Sequence, residues 1–118
     1  MKTSIYSTSE MRNIACTMFT QLGGYRFQMM TGAKIERIYE RDGKVVLRTT
    51  VGRNSHSVNR FEMAYNEGQD LYELRFIRNR AGVDKVVNEY DGVYCDMLGH
   101  LFEKETGMTL IMPRFVCA

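Results

Sequence analysis

The chain has 118 residues, of which 44% are hydrophobic and 25% charged, and its formal net charge is +2. That length allows one domain able to bury about two thirds of its unfolded surface, so folding requires neither a disulfide nor a metal. The composition excludes a disordered or collagen-like chain, no apolar run approaches the roughly 18 residues of a membrane span, and the charge is too small to name a partner.

The first predicted element is a helix over about 8–22. Ser7 and Glu10 form a capping box, in which each side chain satisfies an orphan amide of the first turn. Met11, Ile14, Ala15, Met18, Phe19 and Leu22 make one continuous apolar stripe, and Gly23 supplies the left-handed stop. From Arg26 the pattern becomes period two. Arg26 to Thr31 reads as a strand, with Phe27 and Met29 on one face. Lys34 to Arg41 and Lys44 to Val51 flank Asp42-Gly43, the strongest hairpin signal in the chain. Val45, Leu47, Thr49 and Val51 share one face, and Arg48 lies on the other.

Two further strands are expected over Ser57 to Tyr65 and Leu71 to Arg78. Phe61, Met63, Tyr72, Leu74 and Phe76 face inward, and Arg60, Glu62, Glu73 and Arg75 face outward. Val83 to Glu89 is a weaker strand, because the adjacent Val86 and Val87 break the alternation. A second helix is expected over about 92–106. Asp91 serves as its N-cap, Val93, Tyr94, Met97, Leu98, Leu101 and Phe102 form its stripe, and Gly107 stops it. Gly99 inside that helix implies close packing. The tail over 108–118 carries Leu110, Ile111, Met112, Phe115 and Val116, and is too apolar to be idle.

Alternating strands joined by glycine turns give an antiparallel sheet. Two helices with one apolar stripe each need one shared surface. The expectation is a single α+β domain over 1–118: a curved antiparallel sheet of five or six strands, within about 26–89, with both helices on one face. The opposite face is then polar.

The sequence carries few marks of a catalytic or metal site. His56 and His100 lie outside any nucleophile motif, so no catalytic residue is assigned. Cys95 and His100 lack the helical spacing of a ligand pair, and no metal or cofactor is expected. Cys16, Cys95 and Cys117 are odd in number and scattered, which argues against a disulfide framework and for a reducing, cytoplasmic compartment. Residues 1–11 lack the apolar core of a secretory signal. Glu36, Glu40, Glu62, Glu73, Glu103 and Glu105 are interspersed with cations, which favours ion pairs over acid–base catalysis.

Charge distribution is more informative. Residues 1–33 carry three Lys/Arg against one acid, residues 34–88 eleven against eight, and residues 89–118 two against five. The middle is basic and the end acidic. Tyr25, Tyr39, Tyr65, Tyr72 and Tyr90 are interleaved with arginines there, the ingredients of a single-strand-binding sheet. Lys34, Arg37, Arg48, Arg60, Arg75 and Arg78 are the expected phosphate contacts of a nucleic-acid-binding face.

Several strings are distinctive: Gln21-Leu22-Gly23-Gly24-Tyr25-Arg26-Phe27, Met30-Thr31-Gly32-Ala33-Lys34, Asp70-Leu71-Tyr72, Val93-Tyr94-Cys95-Asp96-Met97-Leu98 and Glu105-Thr106-Gly107. Over about 15–107 the chain resembles a group of small bacteriophage and mobile-element proteins to which no chemistry is assigned. The resemblance implies an accessory protein acting inside a bacterial cell, and with no catalytic motif in the chain the expectation is a non-enzymatic one. Proteins in that setting bind nucleic acid or antagonise a host defence complex. The second role would place the contact on the acidic second helix and the apolar tail. A homodimer is compatible with either.

Overall fold

The computed structural model describes residues 6–66 and 68–108. Helix α1 spans Thr8–Leu22, and the Ser7 side chain accepts from the Glu10 amide at 3.2 Å, the N-cap half of the expected capping box. Ala15, Met18 and Leu22 are buried along its inner stripe. Gly23 closes the helix with φ 120°.

The segment expected as the first strand is instead a short helix, α2, over Tyr25–Thr31. The bury-every-fourth rule of a helix wins there: Phe27 and Thr31 are buried, and Met29, expected beside Phe27, is 67% exposed. The Thr31 hydroxyl donates back to the Phe27 carbonyl at 2.6 Å. Gly32, with φ 69°, ends this helix and starts the sheet.

Five strands follow: β1 Lys34–Arg41, β2 Lys44–Thr50, β3 Arg60–Asn66, β4 Leu71–Arg80 and β5 Val83–Val93. They pair antiparallel in chain order and do not close into a barrel. Asp42 and Gly43 both have positive φ, the geometry of the tight hairpin their sequence announces. The β4–β5 hairpin turns the same way at Ala81 and Gly82.

Three β-bulges coil the sheet. One inserts Glu36 into β1, so that Ile35 and Ile38, three apart, both lie on the face that carries Thr49 and Leu47. Two lie in β5, opposite the Tyr72/Leu74 and Phe76/Ile77 steps of β4. The second inserts Val87, which is why the Val86-Val87 pair broke the alternation.

Strand β5 runs through Asp91 and Gly92 to Val93, so Asp91 is not a cap. A single 3-10 turn, Cys95–Met97, leads into helix α3, Leu98–Thr106, whose N-cap is Met97. Helix α3 is therefore shorter than expected. Tyr94 and Met97, assigned to its stripe, are exposed, while Leu98, Gly99, Leu101 and Phe102 are buried. The expected tail beyond Met108 lies outside the described residues.

The core lies between one face of the sheet and the three helices. Phe102 sits at its centre, with ring centroids 4.9 Å from Phe27, 5.4 Å from Phe61 and 6.3 Å from Phe76. Thr49 is buried on this side too, and its hydroxyl finds no hydrogen-bond partner among the described residues. An orphaned buried hydroxyl costs about 1–3 kcal/mol. Thr49→Val is thus expected to raise stability by about 1 kcal/mol. The check is a higher urea midpoint at unchanged m; a lower midpoint would mean that the hydroxyl is satisfied in solution.

Candidate functional site

The opposite face carries the side chains expected there, but it is not simply a solvated surface. Val46, Ala64 and Ile77 on this face are fully buried, and the Glu62 side chain is only 4% exposed. The bulged β4–β5 hairpin coils over it. In a flat sheet β2 and β5 stand about 14 Å apart. Yet the Arg48 guanidinium of β2 grips Asp84 of β5 with two hydrogen bonds, at 2.8 and 3.0 Å.

Arg48 is the hub of an ion network. Its Nε donates to Glu36 at 2.6 Å and its Nη1 to Glu62 at 3.0 Å. The β1 bulge is what brings Glu36 to this face, and its other oxygen accepts from Arg60 at 2.9 Å. Glu62 also accepts from the Tyr39 hydroxyl at 2.6 Å and from Arg41 at 2.8 Å. Three guanidinium groups thus face three carboxylates, and the face has no net charge at its centre.

Titration behaviour follows the geometry. The Arg48 and Asn79 side chains hold the Asp84 carboxyl down to about 2. Burial by itself would raise Glu62, but its hydrogen bonds from Tyr39, Arg41 and Arg48 outweigh that and lower it. Burial and the Glu62 carboxylate both push the Tyr39 hydroxyl up. Both carboxyls bind protons more weakly folded than unfolded. Their contribution to stability is present above the ordinary carboxylate range and is lost as pH falls through their lowered values, which for Asp84 means toward 2. The urea midpoint is expected to fall over that window. It should fall less for Asp84→Asn, compared at pH 6 and pH 2.5; an equal fall would show that the Arg48–Asp84 contact adds nothing.

The six expected phosphate contacts therefore separate. Arg48 and Arg60 meet at Glu36, and both are neutralised. Arg75 pairs with Glu89 at 3.1 Å. Arg37 lies 4.6 Å over the Tyr39 ring, and Lys34 is exposed at the start of β1. The tyrosines do not form one platform either: Tyr65, Tyr72 and Tyr90 belong to the core side, and Tyr39 is held by Glu62.

Arg78 is not on the polar face at all: its neighbour Ile77 pairs with Arg60 and occupies that face, so strand alternation turns Arg78 to the other side. It lies at the end of the sheet, where the 51–59 loop meets the β4–β5 turn, and there it lines a cavity of about 250 Å³ together with Arg53 and Arg80. No acidic residue lines this cavity. Arg53 and Arg80 were absent from the expected set. Their signal was two basic residues beside glycine turns, Gly52-Arg53 and Arg80-Ala81-Gly82, which the pairing of β4 with the loop brings together.

The loop that carries Arg53 is held by side-chain amides. Asn54 donates to the carbonyls of Gly52 and Val58 and accepts from the amides of His56 and Val58. Asn59 clamps the backbone of Asn79 from both sides, accepting at 2.7 Å and donating at 2.8 Å. Arg78 donates to the carbonyls of His56 and Ser57. His56 in turn meets the Glu105 carbonyl at 2.9 Å, which ties the loop to the end of α3. Gly52 packs so closely on α2 that a Cβ there would meet the Thr31 carbonyl oxygen at 2.6 Å. The rim is thus rigid and cationic.

Among the described residues no helix is long and apolar enough to cross a membrane, and no group of three or more His, Cys, Asp or Glu side chains could hold a metal ion. No protein-family model, curated protein or solved structure matches the chain.

Proposed function

We propose that this is a non-enzymatic binding module that takes the phosphate backbone of a nucleic acid at the arginine-lined end of its sheet. The observation that carries the reading is the convergence of Arg53, Arg78 and Arg80 on one cavity free of carboxylates. Guanidinium forks match phosphate oxygens, and a pre-ordered loop loses little freedom on binding. The polar groups of the sheet face are engaged with one another, so the contact surface shifts from the face to its rim. Resemblance to bacteriophage and mobile-element proteins supplies the setting, an accessory protein in a bacterial cell.

Fluorescence anisotropy against labelled single-stranded DNA, duplex DNA and RNA at about 50 and 200 mM salt tests the reading. With three phosphate contacts on a single strand, affinity should fall roughly twentyfold between those salts. Arg53→Glu with Arg80→Glu should remove about 1.4 from the slope of log K against log salt, or about 0.7 per lost contact. Arg75→Gln, on the compensated face, should leave both affinity and slope nearly unchanged. Absence of binding at the lower salt, or equal loss from Arg75→Gln, would sink the proposal.

A further inference from the structure

We infer that the rim cavity takes a phosphomonoester, which on the nucleic-acid reading above is the terminal phosphate of a strand rather than an internal diester. The inference rests on that reading for its macromolecule and on the cavity for its chemistry.

Charge matching comes first. An internal diester presents one negative charge and two free oxygens. A monoester presents about −1.5 to −2 near neutral pH, and three strong acceptor oxygens. Three arginines converge on this cavity, and none of its lining residues is acidic. The nearest acid on the hairpin, Asp84, is already gripped by Arg48 and by the Asn79 amide. A diester would leave most of that cationic charge uncompensated. A terminal phosphate offers one oxygen to each fork.

Shape comes second. The cavity lies between the 51–59 loop and the β4–β5 turn, with Asn59 joining the two. At about 250 Å³ it is larger than a phosphoryl group and smaller than the usual site for a whole drug-sized ligand. That volume holds a phosphate with part of its sugar.

Preorganisation comes third. Arg78 spends Nε and Nη2 on the Ser57 and His56 carbonyls. Its Nη1 has no partner among the described residues, so the guanidinium is braced with donors to spare. Exposed Arg53 and Arg80 complete the set from the two sides. Ser57 at the same wall adds a neutral hydroxyl.

The test measures anisotropy of one short labelled single strand in three forms, with a 5′ phosphate, with a 3′ phosphate and with neither, at about 50 mM salt. A nucleoside monophosphate is titrated separately by calorimetry. The expected result is binding about tenfold tighter for a phosphorylated end, the equivalent of about one charge-assisted hydrogen bond. That gain should disappear in Arg53→Gln with Arg80→Gln, two exposed positions whose fold is checked by circular dichroism. Equal affinity for all three strands would overturn the terminal-phosphate inference and leave the nucleic-acid reading standing. Binding of the monophosphate without any strand, lost in the same variant, would keep the phosphate cradle and remove the nucleic acid. No binding by any probe would overturn both.

Discussion

Arg48→Met is expected to destabilise the protein by about 3–5 kcal/mol, the cost of breaking a buried ion pair from one side. At roughly 4 °C per kcal/mol for a chain of this length, the melting temperature should drop by about 12–20 °C. An exposed pair would be worth no more than about 1 kcal/mol, and the accessible areas decide between these regimes. The Arg48 side chain is 12% exposed and that of its partner Glu62 only 4%. Methionine preserves the packing of the aliphatic stem, so the loss reports on the charge. Glu62 then keeps only Arg41 and Tyr39, and Asp84 on the hairpin loses its anchor across the sheet.

A double-mutant cycle with Glu62→Gln isolates the pair. The double variant should be less destabilised than the sum of the singles, with a coupling of about 1–3 kcal/mol. A loss below about 1 kcal/mol for Arg48→Met would mean that water already screens the network.

Phe102→Ala should cost about 3–5 kcal/mol, the usual range for emptying a phenylalanine site in a core. The ring is fully buried and contacts Phe27 of α2, Phe61 of β3 and Phe76 of β4. No single neighbour can collapse into the space, because each is fixed to a different element. Helix α3 has nine residues, too few to persist without this anchor. The effect should therefore reach the rim. His56 holds the Glu105 carbonyl near the end of α3, so a loosened helix frees the loop that carries Arg53. Urea unfolding measures the first consequence and oligonucleotide affinity of the folded variant the second. A loss under about 2 kcal/mol would show that the core repacks around the gap.

Legibility in the sequence varied with the range of the forces involved. Helix α1 was readable because its cap, stripe and stop are all local, and Asp42-Gly43 announced its hairpin for the same reason. Helix α2 was not. Seven residues between glycines satisfy a period of two about as well as one of 3.6, and only burial of Phe27 and Thr31 together decides. The start of α3 was misplaced because Val93 and Tyr94 extend its apolar pattern backwards, while the bulge near Gly92 keeps that stretch in β5. The sidedness of the sheet was correct in β2 and β3 and in β4 as far as Phe76, but Arg78, expected on the polar face, lies on the side of Tyr72, Leu74 and Phe76.

The polar face was legible in its parts and not in its sum. Arg48 and Glu62 are direct cross-strand neighbours, and their pairing follows once the register is known. The Arg48–Asp84 contact depends on the coil that the β5 bulges create, and no period in the sequence encodes it. Arg53 and Arg80 stayed outside the expected contact set because one lies in the 51–59 loop and the other at the last residue of β4, beyond the alternating run.

The simple order of the strands, each beside its chain neighbour, bears on how the molecule folds. Successive hairpins close short loops, so most of the sheet can form before any distant contact is made, and such topologies fold quickly. The Arg48–Asp84 grip joins residues 36 apart and requires the finished coil. It belongs to the native side of the barrier. Its strength therefore governs how fast the folded molecule opens and has little influence on how fast it forms.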